Sequence, residues 1–593
     1  WSTEVHTAMT KLYITKMHLT QLKTQRDMSQ QIQSRQSTLV DPMPIPKTIE
    51  EANQALTRAR KECRKIAKEK RHQLKTKEAD RLAALQLANP DKDPQKLAHQ
   101  FDRAMETKRM FANLPSIKPR STGGLASLKL PAGGVAQIFD QDKEKDPKDI
   151  PRNKLDISKE WINITDPQVI ETQILARNRR HFGQARPTPL ASNTIQNELF
   201  FSGISSTADD LLYGRANISL LTKDLYAQEI LHECVRSIPE INHNSEQHHL
   251  RQRYGKWKET TSTSPSNRHL GHYHSLLQTP PLDPVSAEAK LFHAATQQIW
   301  NIHHGIHQYA INQAYCFKRW QNVVNTMIEK DPGDPRIHRL RVIHLYEADY
   351  SLLIGNAFRQ VLHKMEDANL MNPGCYGNRP TRSAHDPVLL EVLQLEYSWA
   401  TRYPHIKFSN DATSCYDRII PSVSNVLARS YGLHRNVSSI HGNMLQHACY
   451  RIKTKLGVSE NYYSHCPEFP IFGTGQGSTS SPNVWAINAS TYFNVYDKHC
   501  FGATYTNPSL TKTLCLGMTG FVDDNNSQVT GLPESTSHPM FKGDSETKLI
   551  KRCSHDAQLW NDILWASGGA LEVPKCHYVY LKFQFESNGK PFL

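Results

Sequence analysis

Residues 407–420 read KFSNDATSCYDRII, and residues 520–526 read GFVDDNN. In both, an apolar, strand-forming run ends in carboxylates where the backbone leaves the strand. Asp411 and Asp417 stand in the first, Asp523 and Asp524 in the second. Carboxylates so placed sit at a sheet edge and face a cleft. Asp and Asn also follow strands because they favour turns, so either segment taken alone also reads as a turn. Between them lies IFGTGQGSTSSPNVWAI, residues 471–487. Its glycines Gly473, Gly475 and Gly477 and its small residues Ser478 to Ser481 would let a base pair approach the backbone closely. Pro482 suits the first turn of a helix through PNVWAINAS.

Working outward, the chain has 593 residues, roughly four domains at ~150 residues each. Hydrophobic residues make up 38% and charged residues 22%, so part of the chain folds around a core and part does not. Lys and Arg number 71 against 57 Asp and Glu, a net charge of +14 that favours a polyanionic partner such as nucleic acid or an acidic membrane surface. Much of that charge is local: residues 50–87 contain no Gly or Pro and read as a long basic helix, either a solvated arm or a phosphate contact. From 116 to 154 the composition turns to Gly, Pro, Lys and Asp, which reads as a linker. A packed domain begins near Trp161, with Asp166-Pro167 starting a helix whose apolar face is Val169, Ile170, Ile174 and Leu175. Helical periodicity returns over Ala287–Lys330 and Val388–Ala400, while PHIKFSNDA and LCLGMTGFVDD read as short buried strands.

No run of about 18 apolar residues occurs, which excludes a transmembrane helix. The opening WSTEVHTAMTKL has neither an initiator Met nor a signal peptide, and with the ending NGKPFL it reads as a fragment of a longer polyprotein. Eleven Cys without a CxxC pair suit reduced thiols, and no zinc finger or fixed-period repeat is present.

The ordered set of strand–Asp, Gly/Ser loop and strand–FVDD resembles the palm of reverse transcriptases, especially those of non-LTR retrotransposons and group II introns. DATSCYDRI is similar to their motif A, GTGQGSTSSP to motif B and FVDD to motif C. LWASGGALEVPKCHY resembles motif D, with Gly568-Gly569 before a strand and Lys575 after it. Upstream, LRVIHLYEADYSLLIGNAF places Arg341 at the family's arginine. CYGNRPTRSAHDPV resembles the QYGFRPGRST segment, with Arg379 and Arg382 at its two arginines. WKETTSTSPSNRHLGHYHSLL stands where the family has its KAPGPDG loop. The resemblance covers roughly residues 257–585, and most resembles the retroelement lineage of algal and protist genomes.

That resemblance implies an α+β, right-hand polymerase fold of fingers and palm, its antiparallel palm sheet flanked by helices and preceded by a basic, mostly helical region. The corresponding division is a basic helical region over 1–115, a flexible linker over 116–155, a helical extension over 156–255, fingers over 256–400 and palm over 401–593. The thumb is missing, and no endonuclease or RNase H signature appears. The implied activity is RNA-directed DNA polymerisation: dNTPs are added to a DNA primer on an RNA template with two Mg²⁺ ions, Mn²⁺ being the alternative ion. The family's metal ligands fall on Asp411 and Asp523, with Asp524 supporting, and the carbonyl of Ala412 faces the second metal. Tyr416 is the steric gate against a 2′-hydroxyl, and Asp417 is structural.

Gln476 lies beside the nascent base pair, and Arg341 with one of Arg379 or Arg382 clamps the triphosphate. Lys575 stands where the family has a proposed proton donor to pyrophosphate, a phosphate contact or an exposed lysine being the alternatives. His269, His272 and His274, and His303, His304 and His307, have metal-ligand spacing, but no Cys or carboxylate completes either set. Phosphate or RNA contact suits the first set better. The resemblance places the protein in the nucleus or cytoplasm, without a membrane partner. Two other readings are an RNA-dependent RNA polymerase, opposed by FVDD and Tyr416, and a catalytically inactive nucleic-acid-binding derivative, opposed by the retained carboxylates.

Overall fold

A short strand, β1 (Leu128–Pro131), pairs antiparallel with β2 (Trp161–Ile164). It falls within the stretch read as a flexible linker, 116–155, whose other residues lie mostly outside the described ones. Leu125, Leu128 and Leu130 are buried in the main core, and Lys129 N–H donates to the Pro335 carbonyl at 3.0 Å. Burying a leucine gains about 1.5–3 kcal/mol, enough to order a short strand among Gly and Pro. The computed structural model describes residues 161–243, 247–256, 285–531 and 545–582, apart from 332, 381, 402, 455–456, 508 and 510. Shorter pieces are described within 54–69, 125–131, 265–277, 584–585 and 591–592. The chain divides into two units, Trp1–Arg120 and Ser121–Leu593. In the first, the described positions within 54–69 are helical; the rest of the basic stretch lies outside the described residues.

In the second unit, helix α1 (Pro167–Phe182) starts as its sequence dictates: the Asp166 side chain accepts the Val169 N–H and Pro167 occupies the first turn. Ile170, Ile174 and Phe182 face the core, whereas Val169 points outward. Helix α2 (Ala287–Gln313) ends at Ala314, which takes a left-handed conformation with φ +51. The helical expectation through Lys330 therefore fails after Gln313. NVVNTMIE, rich in β-branched residues, forms strand β3 (Asn322–Glu329). β4 (Leu340–Leu345) pairs with it antiparallel.

Helices α3 (Ala348–Asp367) and α4 (His385–Thr401) lead to β5 (His405–Asp411). After α5 (Pro421–Ser430) and α6 (Arg435–His447), the hairpin of β6 (Cys449–Thr454) and β7 (Gly457–Tyr463) returns to β3. β6 pairs parallel to β3, giving a four-stranded sheet in the order β4–β3–β6–β7. Residues 449–463 thus share a sheet with 322–345, so the division at 400/401 expected from the sequence is not a boundary between sheets.

Helix α7 (Ser481–His499), begun by Pro482, is buried along nearly its whole length. β8 (Ala503–Thr506) and β9 (Thr513–Leu516) form their own hairpin, so LCL of LCLGMTGFVDD lies apart from the strand that follows it. β10 (Met518–Phe521), β11 (Asp524–Thr530) and β12 (His577–Leu581) complete an antiparallel sheet in the order β10–β11–β5–β12. Helix α8 (Ser545–Ala566) packs against β5 and β11, where Ile406, Val529, Leu549 and Cys553 form a small core. The fold is α+β, with antiparallel sheets apart from the β3–β6 pair. Among the described residues, no helix is long and apolar enough to cross a membrane.

Candidate active site

Asp411 ends β5 and Asp524 begins β11, and the two are direct partners across the ladder. Asp523 occupies the tight turn between β10 and β11, and its carbonyl accepts the Ala412 N–H at 3.3 Å. The sheet therefore gathers three carboxylates that are 112 residues apart in sequence (523 − 411) at one end of adjacent strands. Burial raises the Asp523 carboxyl above its ordinary value, and the charges of Asp524 and Asp411 add to the shift. Such a cluster of hard oxygen donors suits a cation.

Lys575 supplies one positive charge: its Nζ bonds Asp411 Oδ2, which raises the lysine pKa. The segment carrying Lys575 runs alongside 411–413. Glu572 N–H donates to the Asp411 carbonyl at 2.9 Å, Thr413 N–H to the Ala570 carbonyl at 2.8 Å, and Thr413 Oγ1 to Glu572 at 2.7 Å. Gly568 makes this approach feasible, because at φ +101 a Cβ there would lie 2.6 Å from the Arg418 carbonyl.

Tyr416 lies in the 3₁₀ turn Cys415–Asp417. Its ring meets Trp485 edge-on with centroids 6.4 Å apart, and its carbonyl accepts the Thr474 N–H at 3.0 Å. Burial pushes the hydroxyl pKa up, with Cys415 and the Asp523 carboxylate contributing, so the phenol stays neutral beside the carboxylates. The carbonyl of Gln476 accepts the His344 N–H at 2.6 Å, which fastens the glycine loop to β4. Gly477 permits that contact, since at φ +114 a Cβ would come within 2.3 Å of the His344 carbonyl.

Arg341 is exposed on β4. Lys330, just past β3, lies within electrostatic reach of Arg341, Lys575 and Glu572; burial lowers its pKa, and Lys575 lowers it further. Lys330, Arg341 and Lys575 thus form a cationic group beside the carboxylates.

Arg379 does not join them. Its guanidinium binds both oxygens of Glu366 at 2.8 Å and the carbonyls of Asn372 and Cys375 at 3.1 and 2.9 Å. It fastens the 372–378 loop to the end of α3, so its donors are engaged within the chain. Arg382 is exposed and sits 6.0 Å from the Tyr376 ring. Asp417 is buried and pairs with His181 Nε2 at 2.9 Å.

His307 is buried with its pKa pushed down to about 4, so it is neutral. Among the described residues, no group of three or more His, Cys, Asp or Glu is arranged to hold a metal, and His269, His272 and most of 257–277 lie outside them. A hard divalent cation needs only one or two protein carboxylates when substrate phosphates complete its shell. Asp411, Asp523, Asp524 and the Ala412 carbonyl fit that donor chemistry.

Three residues of the site carry no signal in the sequence. Lys330 follows a strand whose pattern continues that of a helix, Trp485 is an aromatic residue on a helix with no polar signal, and His181 lies 236 residues from its partner. Comparison of the chain with protein families and with curated proteins returned no match.

Proposed function

We propose that this protein is a metal-dependent nucleotidyltransferase. More particularly, it is an RNA-directed DNA polymerase of the retroelement type. The observation that carries this reading is the register pairing of Asp411 with Asp524, with Asp523 in the adjoining turn and the neutral Tyr416 ring beside it. Asp411, Asp523, Asp524 and the Ala412 carbonyl would hold two Mg²⁺ ions, which activate the primer 3′-hydroxyl and neutralise charge on the departing pyrophosphate.

The chain's own residues do the remaining work. Arg341 and Lys330, with Arg382 as a further exposed arginine, bind the triphosphate. Tyr416 is an apolar wall that leaves no room for a 2′-hydroxyl, and Gln476 lies on the loop that borders the new base pair. Lys575, held at the site by Asp411, carries a proton on Nζ and is the candidate donor to pyrophosphate as it leaves. The basic stretch in the first unit suits contact with an RNA template.

The deciding experiment is extension of a DNA primer on an RNA template with Mg²⁺, comparing the parent chain with Asp523→Ala. The parent should extend with dNTPs and the variant should lose at least about a thousandfold in rate, as expected when a ligand to catalytic metal is removed. Equal extension by both sinks the proposal, and extension with NTPs alone points instead to an RNA polymerase.

A further inference from the structure

The C-terminal half of α1 and the residues after it touch β3, β4, the glycine loop and the residue that follows the Tyr416 turn. Arg177 Nη2 donates to the Leu340 carbonyl at 3.2 Å, beside Arg341. Asn178 lies 3.6 Å from Met327 Sδ on β3. Phe182's carbonyl accepts the Phe472 N–H at 2.8 Å, adjoining Gly473, and Gln184 Oε1 accepts from Arg418 at 3.1 Å. In the middle stands His181, bound to Asp417.

The His181–Asp417 bond has leverage because of what surrounds it. Asp417 is 4% exposed, and its second carboxylate oxygen has no hydrogen-bond partner. Asp417 and Tyr416 share one 3₁₀ turn, and Ser414, just before it, is held at φ +49. On the far side Gly473 presses so close that a Cβ there would lie 2.7 Å from the Asp417 Cα, and Thr474 N–H binds the Tyr416 carbonyl. The turn is therefore clamped between the glycine loop and α1, and the side-chain hydrogen bond that ties it to α1 is that of Asp417 with His181.

Resting on the polymerase reading, we propose that His181 is a positioning residue for Tyr416: by fixing Asp417 it sets the depth of the tyrosine wall and so the discrimination between deoxyribo- and ribonucleotides. Helix α1 is then part of the sugar-selecting apparatus, not an appendage to it.

The test measures kcat/KM for a dNTP and for the matching rNTP on one primer–template. It compares the parent, His181→Gln and the pair His181→Leu with Asp417→Asn. Gln keeps an N–H donor facing Asp417 and should keep the parental dNTP/rNTP ratio. The pair removes the bond without leaving a buried, unpaired carboxylate, and its ratio should fall about tenfold or more, the scale expected when a positioning group moves by a fraction of an ångström to an ångström. In a Tyr416→Ala background the same pair should leave the ratio unmoved, because the wall it positions is gone. If the pair does not fold, His181→Asn, whose shorter amide withdraws the donor, decides the question in the same way.

An unchanged ratio, or equal losses on both sugars, overturns the proposal while leaving the polymerase reading intact. A parent chain that extends with neither sugar overturns both.

Discussion

Trp485 donates its indole N–H to the carbonyl of Val522 at 2.6 Å. Helix α7, which follows the glycine loop, thereby holds the turn from which Asp523 projects. Val522 sits at φ +64, a conformation that a β-branched residue rarely adopts. The hairpin is also held from the opposite side, where Gly520 exchanges backbone hydrogen bonds with Gly374 and Tyr376 at 2.8 and 2.9 Å. Strain of this kind persists only where the surroundings over-determine it.

Trp485→Phe keeps the ring and removes the donor. The half-buried Val522 carbonyl then loses its partner, at about 1 kcal/mol. Primer extension should fall about tenfold, because the turn drifts from its working position. A melting curve together with a single-turnover rate checks both effects, and a parental rate in the variant would show that the turn does not need this bond.

Asp523→Asn should abolish activity and yet stabilise the protein in chelator at neutral pH. The Asp523 carboxyl is raised above its unfolded value, chiefly by burial. Its favourable contribution to folding is therefore present in acid, below the ordinary carboxylate range, and is lost as the pH rises through the raised folded value. Asn carries no charge at any pH. The variant should melt above the parent at neutral pH, and the gap should close as the solution is acidified. A gap that widens in acid contradicts the assigned shift.

Arg379→Ala and Arg341→Ala should separate structure from binding. Arg379 is nearly enclosed, with its side chain 7% exposed, and removing it strands Glu366 and the Cys375 carbonyl, while the Asn372 carbonyl keeps the Cys375 N–H at 3.0 Å. The cost is about 3 kcal/mol, and Arg379→Lys should recover little of it because the planar fork is lost. Arg341→Ala should leave the melting temperature unchanged and raise the nucleotide KM about tenfold, equivalent to ~1.4 kcal/mol. Calorimetry and steady-state kinetics on both variants provide the comparison.

What is legible in the chain is local. Carboxylates at strand ends, a glycine loop before Pro482, and the Asp166-Pro167 helix start are patterns whose physics acts over a few residues. What is not legible depends on long-range register. Lys330 gains meaning only when β3 lies beside β4, and the sequence of β3 reads as the continuation of a helix. Arg379 and Arg382 differ by three positions, and only Glu366 at the end of α3 distinguishes the buried one from the exposed one. β1 is hidden because three leucines among glycines and prolines have no periodicity of their own; their partners are supplied by distant parts of the core.

The position of β5 between β11 and β12 also has a consequence during synthesis. After Asp411 is made, another 119 residues (530 − 411) must follow before β11 is complete. At ~5–20 residues per second, that is roughly 6–24 seconds in which the strand bearing Asp411 has neither neighbour. Through that interval both its edges are open to other chains. Lys407, which pairs with Glu391 in the finished fold, places a charge in the middle of the strand and opposes such pairing. A nascent chain halted between Asp411 and Thr530 thus carries this strand with both edges open.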